Sequence, residues 1–135
     1  MSHFTKLRTL ITDADGLVKA LADAGFKDVE AHETAQHLYG YQGDVRPQTA
    51  EVIVRRKYVG QASNDIGFKR QADGTFEAII SEYDRRQYAQ AWLDRLTQHY
   101  AYHVARAKLA EQGFDLVSEE AQEGERIHLV LRRVV

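Results

Sequence analysis

The sequence predicts an α+β domain: an antiparallel sheet with one short and one long helix packed on one face, for which a ferredoxin-like arrangement is one candidate form. Three observations carry that prediction. Runs of period-two alternation lie between two stretches of helical period. The pairs Asp73-Gly74 and Glu123-Gly124 punctuate the strand-like runs as hairpin turns. The chain has 135 residues, 44% of them apolar, and a single Pro, which fits one domain with one core.

Residues 4–11 are rich in β-formers, with Leu7, Thr9 and Ile11 on one face and Lys6 and Arg8 on the other, so a first strand is expected. Thr12 to Asp15 reads as a capping box with Thr12 as the cap. Leu17, Ala20, Leu21 and Ala24 follow at helical spacing, and Gly25 is a C-terminal stop, giving a helix over 13–24. A second strand is expected over 29–38. Tyr39-Gly40-Tyr41-Gln42-Gly43 breaks it, and the segment around Pro47 reads as a loop. Residues 51–59 form the clearest central strand, and 65–70 and 75–80 flank Asp73-Gly74, completing a meander over 29–80. From 84 to 112 the period lengthens: Tyr88, Trp92, Leu96, Tyr100 and Val104 recur every four residues, a long amphipathic helix ended by Gly113. A last hairpin spans 114–120 and 126–134, with Ile127, Leu129 and Leu131 on its inner face.

Composition narrows the function classes. Eighteen basic and twenty acidic residues leave a charge of −2, which argues against non-specific duplex binding. With no Cys there is no disulfide framework, thiolate zinc site, iron–sulfur cluster or Cys nucleophile. No stretch approaches the roughly 20 apolar residues that cross a bilayer. The start, Met1 to Lys6, has no apolar signal region, so a cytoplasmic protein is expected. No GxxxxGK[ST] or GxSxG element is present, and no cofactor is expected.

Several motifs occur in order: Ser2-His3-Phe4, Tyr39-Gly40-Tyr41-Gln42-Gly43, Asp65-Ile66-Gly67-Phe68, Tyr100-Ala101-Tyr102-His103, Glu111-Gln112-Gly113-Phe114 and a closing Leu131-Arg132-Arg133. Together they resemble the domain-of-unknown-function 1257 family, which includes the hypothetical reading frame thirty-five of chloroplasts and cyanobacteria. The resemblance spans nearly the whole chain and implies a small soluble protein. It also implies an accessory role beside ATPases of the MoxR-like AAA+ type, near which some members are encoded. Ser81-Glu82-Tyr83-Asp84-Arg85-Arg86 stands where photosynthetic members carry an apolar, Trp-bearing run.

The residues offer several candidate sites. His99 and His103 are one helical turn apart, about 6 Å, a spacing that can chelate a metal. His3 is the favoured third group, since His3 and His103 both fall in family-like motifs; His32, His37 and His128 are further candidates. No Glu sits in an HExxH arrangement, so a metalloprotease lacks its base. Asp65-Ile66-Gly67-Phe68 has one residue too many for a DFG element, and its Gly67 reads as a bulge or close approach. Tyr39, Tyr41, Gln42 and Arg46 compose an aromatic recognition loop. Arg55 and Lys57, with Lys6, Arg8 and Arg132, are expected to form a basic strip on the open sheet face, where RNA is imaginable although RRM-type stacking aromatics are missing. Glu119, Glu120, Glu123 and Glu125 read as a solvated acidic turn. The leading expectation is a non-enzymatic adaptor that binds a protein partner, an AAA+ ATPase by the family resemblance. A metal- or ligand-binding domain using the histidine pair comes second and RNA binding third. Exposed edge strands leave a homodimer open.

Overall fold

The structure, a computed structural model, describes residues 3–122 and 126–133, with side chains for residues 3–113. Five strands form one sheet in the order β1-β5-β4-β3-β2: β1 is Phe4–Arg8, β2 Glu30–Tyr39, β3 Val45–Val54, β4 Ile66–Arg70 and β5 Phe76–Ser81. Every pairing in it is antiparallel, as the expected meander requires. The helices are α1 (Ala14–Asp23), the short α2 (Arg56–Val59) and α3 (Gln90–Glu111). Strands β6 (Phe114–Gln122) and β7 (Arg126–Arg133) pair as a separate two-stranded sheet. The Glu123-Gly124 turn lies outside the described residues, as do the side chains of the acidic group at 119–125, of His128 and of Arg132.

Helices α1 and α3 cover one sheet face. Leu17, Ala20 and Leu21 of α1 and Trp92, Leu93 and Leu96 of α3 pack with Val52, Val54, Ile66, Phe68, Phe76, Ala78 and Ile80 of the sheet. Burying each large side chain contributes about 1.5–3 kcal/mol, which outweighs the modest intrinsic helicity of these segments. Tyr100 ties the two helices together. Its hydroxyl accepts the Thr12 and Asp13 backbone N–H groups, both at 3.0 Å. The cap of α1 is Asp13 rather than Thr12, with Gly16 N–H donating to Asp13 Oδ2 at 2.8 Å. The Thr12 hydroxyl instead faces Tyr100, with Oγ1 3.4 Å from the phenol oxygen.

The second face is covered without a helix. Leu38 of β2 and Ala50 of β3 pack with Ile53 and Ile79, and Phe4 of β1 joins them. The Arg46 guanidinium lies 5.1 Å from the Phe4 ring centroid, although β3 and β1 are three places apart in the sheet. The outer half of the β2–β3 hairpin therefore folds across the sheet. Register shifts between Ala31 and Gln36 and between His37 and Tyr39 provide the bend. Gly67 makes the fold-over possible: a Cβ there would meet Ala50 Cβ at 2.8 Å and Leu38 Cδ2 at 2.9 Å.

Four boundaries differ from the sequence reading. Pro47 lies inside β3, at the second register shift, where its missing N–H removes no ladder bond. The central strand is 45–54, not 51–59, because Arg56 N–H turns inward to Asp65 Oδ1 at 2.7 Å and 56–59 become helical. The turn after β4 is a three-residue loop closed by Gln71 N–H to Thr75 O at 2.7 Å, with Gly74 alone among the glycines of that loop at positive φ (+89°). Finally, α3 starts at Gln90, not near 84. Residues 84–86 form a 3₁₀ turn, and Ala89 is extended (φ −93°, ψ −172°).

Candidate functional site

One end of the sheet gathers three loop segments around a buried polar network. Asn64 and Asp65 enter it immediately before β4, and both are fully buried. Asp65 is anchored by three residues through four hydrogen bonds: its Oδ2 accepts Tyr39 N–H at 2.7 Å and Arg55 Nη1 at 2.8 Å, its Oδ1 accepts Arg56 N–H, and its own N–H donates to Tyr39 O at 3.0 Å. Asn64 Oδ1 accepts Tyr41 N–H at 2.9 Å. Asp84, 3% exposed, closes the network from the other side: its Oδ2 accepts Asn64 N–H, Asn64 Nδ2 and Ser81 Oγ at 2.9, 3.2 and 2.7 Å. These bonds fix the turn at 39–44, the segment 55–65 and the turn at 81–87 relative to one another.

Arg55 bridges this network to Glu30. Its Nε and Nη2 hold the two Glu30 oxygens at 2.8 and 2.9 Å, a bidentate pair. That bond, with the guanidinium charge behind it, holds the Glu30 carboxyl down at about 2. The same pair, followed by Asp65, raises the Arg55 pKa further. Arg55 is thus turned inward, which removes it from the expected basic strip. Lys57 leaves the strip with it, since it sits on α2 rather than on a strand. What remains of the strip on the second face is Lys6 and Arg8 of β1; Lys6 stands beside Thr49, Lys69 and Glu77 around a cavity of about 450 Å³, with Lys69 Nζ bonded to Thr49 Oγ1 at 3.1 Å.

The rim of the network is aromatic. Tyr39, Tyr41, Tyr58 and Tyr83 are 37%, 37%, 42% and 41% exposed. Three of these rings carry a stacked cation: Arg55 on Tyr39 at 5.0 Å, Lys57 on Tyr58 at 4.9 Å and Arg86 on Tyr83 at 4.1 Å. The expected recognition loop is therefore present in the form of Tyr39 and Tyr41, with Gln42 exposed at the tip of a turn closed by Gly43 N–H to Gly40 O at 2.9 Å. Arg46 lies apart from Tyr39, on the Phe4 ring and 3.9 Å from Asp44. Sequence reasoning missed Tyr58 and Tyr83 as site residues. The signal was there in the adjacent Lys57-Tyr58 pair and in Tyr83 three residues before Arg86, both cation-plus-aromatic spacings.

The histidine pair lies elsewhere. His103 Nε2 and His99 Nδ1 both approach Asp23 Oδ2, at 2.6 and 3.2 Å, so the pair grips the end of α1. His3 precedes β1, where its carbonyl accepts Glu82 N–H at 2.8 Å, and it makes no hydrogen bond or ion pair with either helix histidine. Among the described residues no three His, Cys, Asp or Glu side chains are grouped so as to hold a metal ion. Among the same residues no helix is long and apolar enough to cross a membrane.

Comparison with known proteins agrees with the motifs. The chain is 28% identical over 134 residues to the uncharacterized protein ycf35 of Cyanophora paradoxa, 27% over 134 residues to that of Guillardia theta and 25% over 142 residues to that of Pyropia yezoensis. Each match covers 98% of this chain and 98% of the relative. No solved structure matches it. The family described as "Protein of unknown function (DUF1257)" matches residues 20–130, which takes in the end of α1, helices α2 and α3, strands β2 to β5 and the network itself, and the chain belongs to that family.

Proposed function

We propose that this chain is a non-enzymatic accessory protein that docks a protein partner on the tyrosine-bearing end of its sheet. The observation that carries the reading is the pairing of a rigid floor with an aromatic rim. Tyr39 and Tyr41 share one segment while Tyr58 and Tyr83 stand on two others, and Asn64, Asp65 and Asp84 tie the three segments together from below. Half-exposed tyrosines held in place lose little entropy on binding, which suits recognition. The polar groups beneath are engaged with one another, Asp65 through both oxygens, and this favours a scaffold over a reaction centre.

An AAA+ ATPase is the first candidate partner, on the strength of the family resemblance. The test is site-specific photo-cross-linking in lysate of the native host, with the photoreactive residue placed in turn at Tyr41, Tyr58 and Tyr83, with and without ATP. One common cross-linked protein from all three positions supports the reading, and a nucleotide-dependent yield supports the ATPase. Turnover that follows the purified protein and is abolished by one polar substitution would overturn the non-enzymatic reading.

A second reading rests on His99 and His103 sharing one carboxylate oxygen. In it the two imidazoles, released from Asp23, bind a metal between them, and metal analysis of untagged protein tests it. A stoichiometric metal lost in the His99→Ala/His103→Ala variant supports that reading, and metal-free protein counts against it.

A further inference from the structure

The rim has a cleft with a charge of its own. Between α2 with its following loop and the turn at 83–87 lies a cavity of about 570 Å³, lined by Val59, Gly60, Gln61, Ser63, Tyr83 and Arg86, with Asp84 at its floor. Segments 55–65 and 81–87 carry five cations (Arg55, Arg56, Lys57, Arg85, Arg86) and three carboxylates (Asp65, Glu82, Asp84). Two of those carboxylates are buried and engaged with internal donors, which leaves Glu82 as the exposed one. Arg55 is engaged by Glu30 and Asp65. Arg56, Lys57 and Arg86 make no ion pair among the described residues, and the buried Nε of Arg85 has no hydrogen-bond partner. In a chain of net charge −2, this is a local excess of positive charge beside a concave surface.

We infer that this cleft takes an acidic peptide segment of a partner protein. Within the cleft its carboxylates meet Arg86 and its apolar atoms meet the free face of Tyr83; where it runs on past Val59 along α2 it meets Lys57 and Tyr58. The inference deepens the docking proposal and rests on it. RNA fits less well: Lys57 and Arg86 already occupy one face of each ring, and Arg86 is the one cation in the cleft's lining, so no row of cations tracks a backbone there.

The test uses the full chain and a fluorescein-labelled twelve-residue peptide, Glu-Leu-Glu-Gly repeated three times, read by anisotropy at low and at moderate salt. The same peptide with Gln for Glu and a twelve-nucleotide oligouridine are the comparison probes. Binding of the Glu peptide at least tenfold tighter than that of the Gln peptide, lost at least tenfold in Lys57→Glu/Arg86→Glu and retained in Lys57→Arg/Arg86→Lys, is the expected result. The inference is overturned if the double reversal binds as the wild type does, if the Gln peptide binds equally, or if oligouridine binds more tightly than the Glu peptide. Failure of the docking proposal reads differently: the photo-cross-linker at Tyr41, Tyr58 and Tyr83 then captures nothing in common, whatever the peptide does.

Discussion

A carboxylate with no exposed surface persists in a fold only where donors surround it, and Asp65 has three on its oxygens, one of them a guanidinium. Removing it strands the Tyr39 and Arg56 N–H groups and half of the Arg55 pairing. Asp65→Ala is therefore expected to cost about 3–5 kcal/mol, the range for breaking a buried ion pair from one side. Urea unfolding followed by circular dichroism measures it, and a loss under about 1 kcal/mol would contradict the network. Glu30 supplies a pH-dependent part of the same network. Its folded pKa of about 2 lies below its ordinary 4.5, so between those values the unfolded chain binds more protons than the folded one. The pair's contribution is present in full above pH 4.5 and is lost as pH falls toward 2. The carboxylate is 37% exposed, so solvent screening holds that contribution to about 1 kcal/mol. Comparing urea midpoints near the top and bottom of this window, Glu30→Gln should show the smaller acid-induced drop. The residues of this scale were the least legible in the sequence. Asn64 and Asp65 look like ordinary loop polars until coordinates reveal their burial, and nothing along the chain links Asp23 to His99 and His103.

Elements were easier to read where one face repeats. The four-residue recurrence of Trp92, Leu96 and Tyr100 identifies α3 because those side chains, with Leu93, face the sheet and α1. Boundaries failed where a tertiary bond overrides local pattern. Arg55-Arg56-Lys57-Tyr58-Val59 continues the β-rich run of β3, yet the Asp65 carboxylate draws Arg56 N–H inward and starts a helical turn. The fold-over of the β2–β3 hairpin was also invisible, since a bulge leaves no composition signature. Gly67 is its one trace. Gly67→Ala places a methyl against Ala50 and Leu38 and is expected to destabilise by about 1–3 kcal/mol. A stabilised or neutral Gly67→Ala in thermal unfolding would mean that the hairpin does not lie over the sheet. Tyr100→Phe tests the other face: two backbone N–H groups at the start of α1 lose their acceptor, for an expected loss of about 1–3 kcal/mol. Unchanged stability in that variant would contradict the helix-to-helix tie.

At the scale of the molecule, a sheet packed on both faces leaves its loop ends to face a partner. The helices occupy one face through Leu17, Leu21, Trp92 and Leu96, and the folded hairpin occupies the other through Leu38 and Ala50. The fold class was legible because period and turn signals agree on it. The docking end was half legible, since Tyr39 and Tyr41 share one loop in sequence whereas Tyr58 and Tyr83 join them only through the Asn64–Asp84 bonds. The central claim is that these separate segments act as one docking surface. Its most direct test is photo-cross-linking in native-host lysate from Tyr41, Tyr58 and Tyr83, against control positions at Lys69 of β4 and His99 beside α1. The account predicts one shared partner from the three tyrosine positions and none from the controls. Equal capture from Lys69 or His99, or unrelated partners at the three tyrosines, would contradict it.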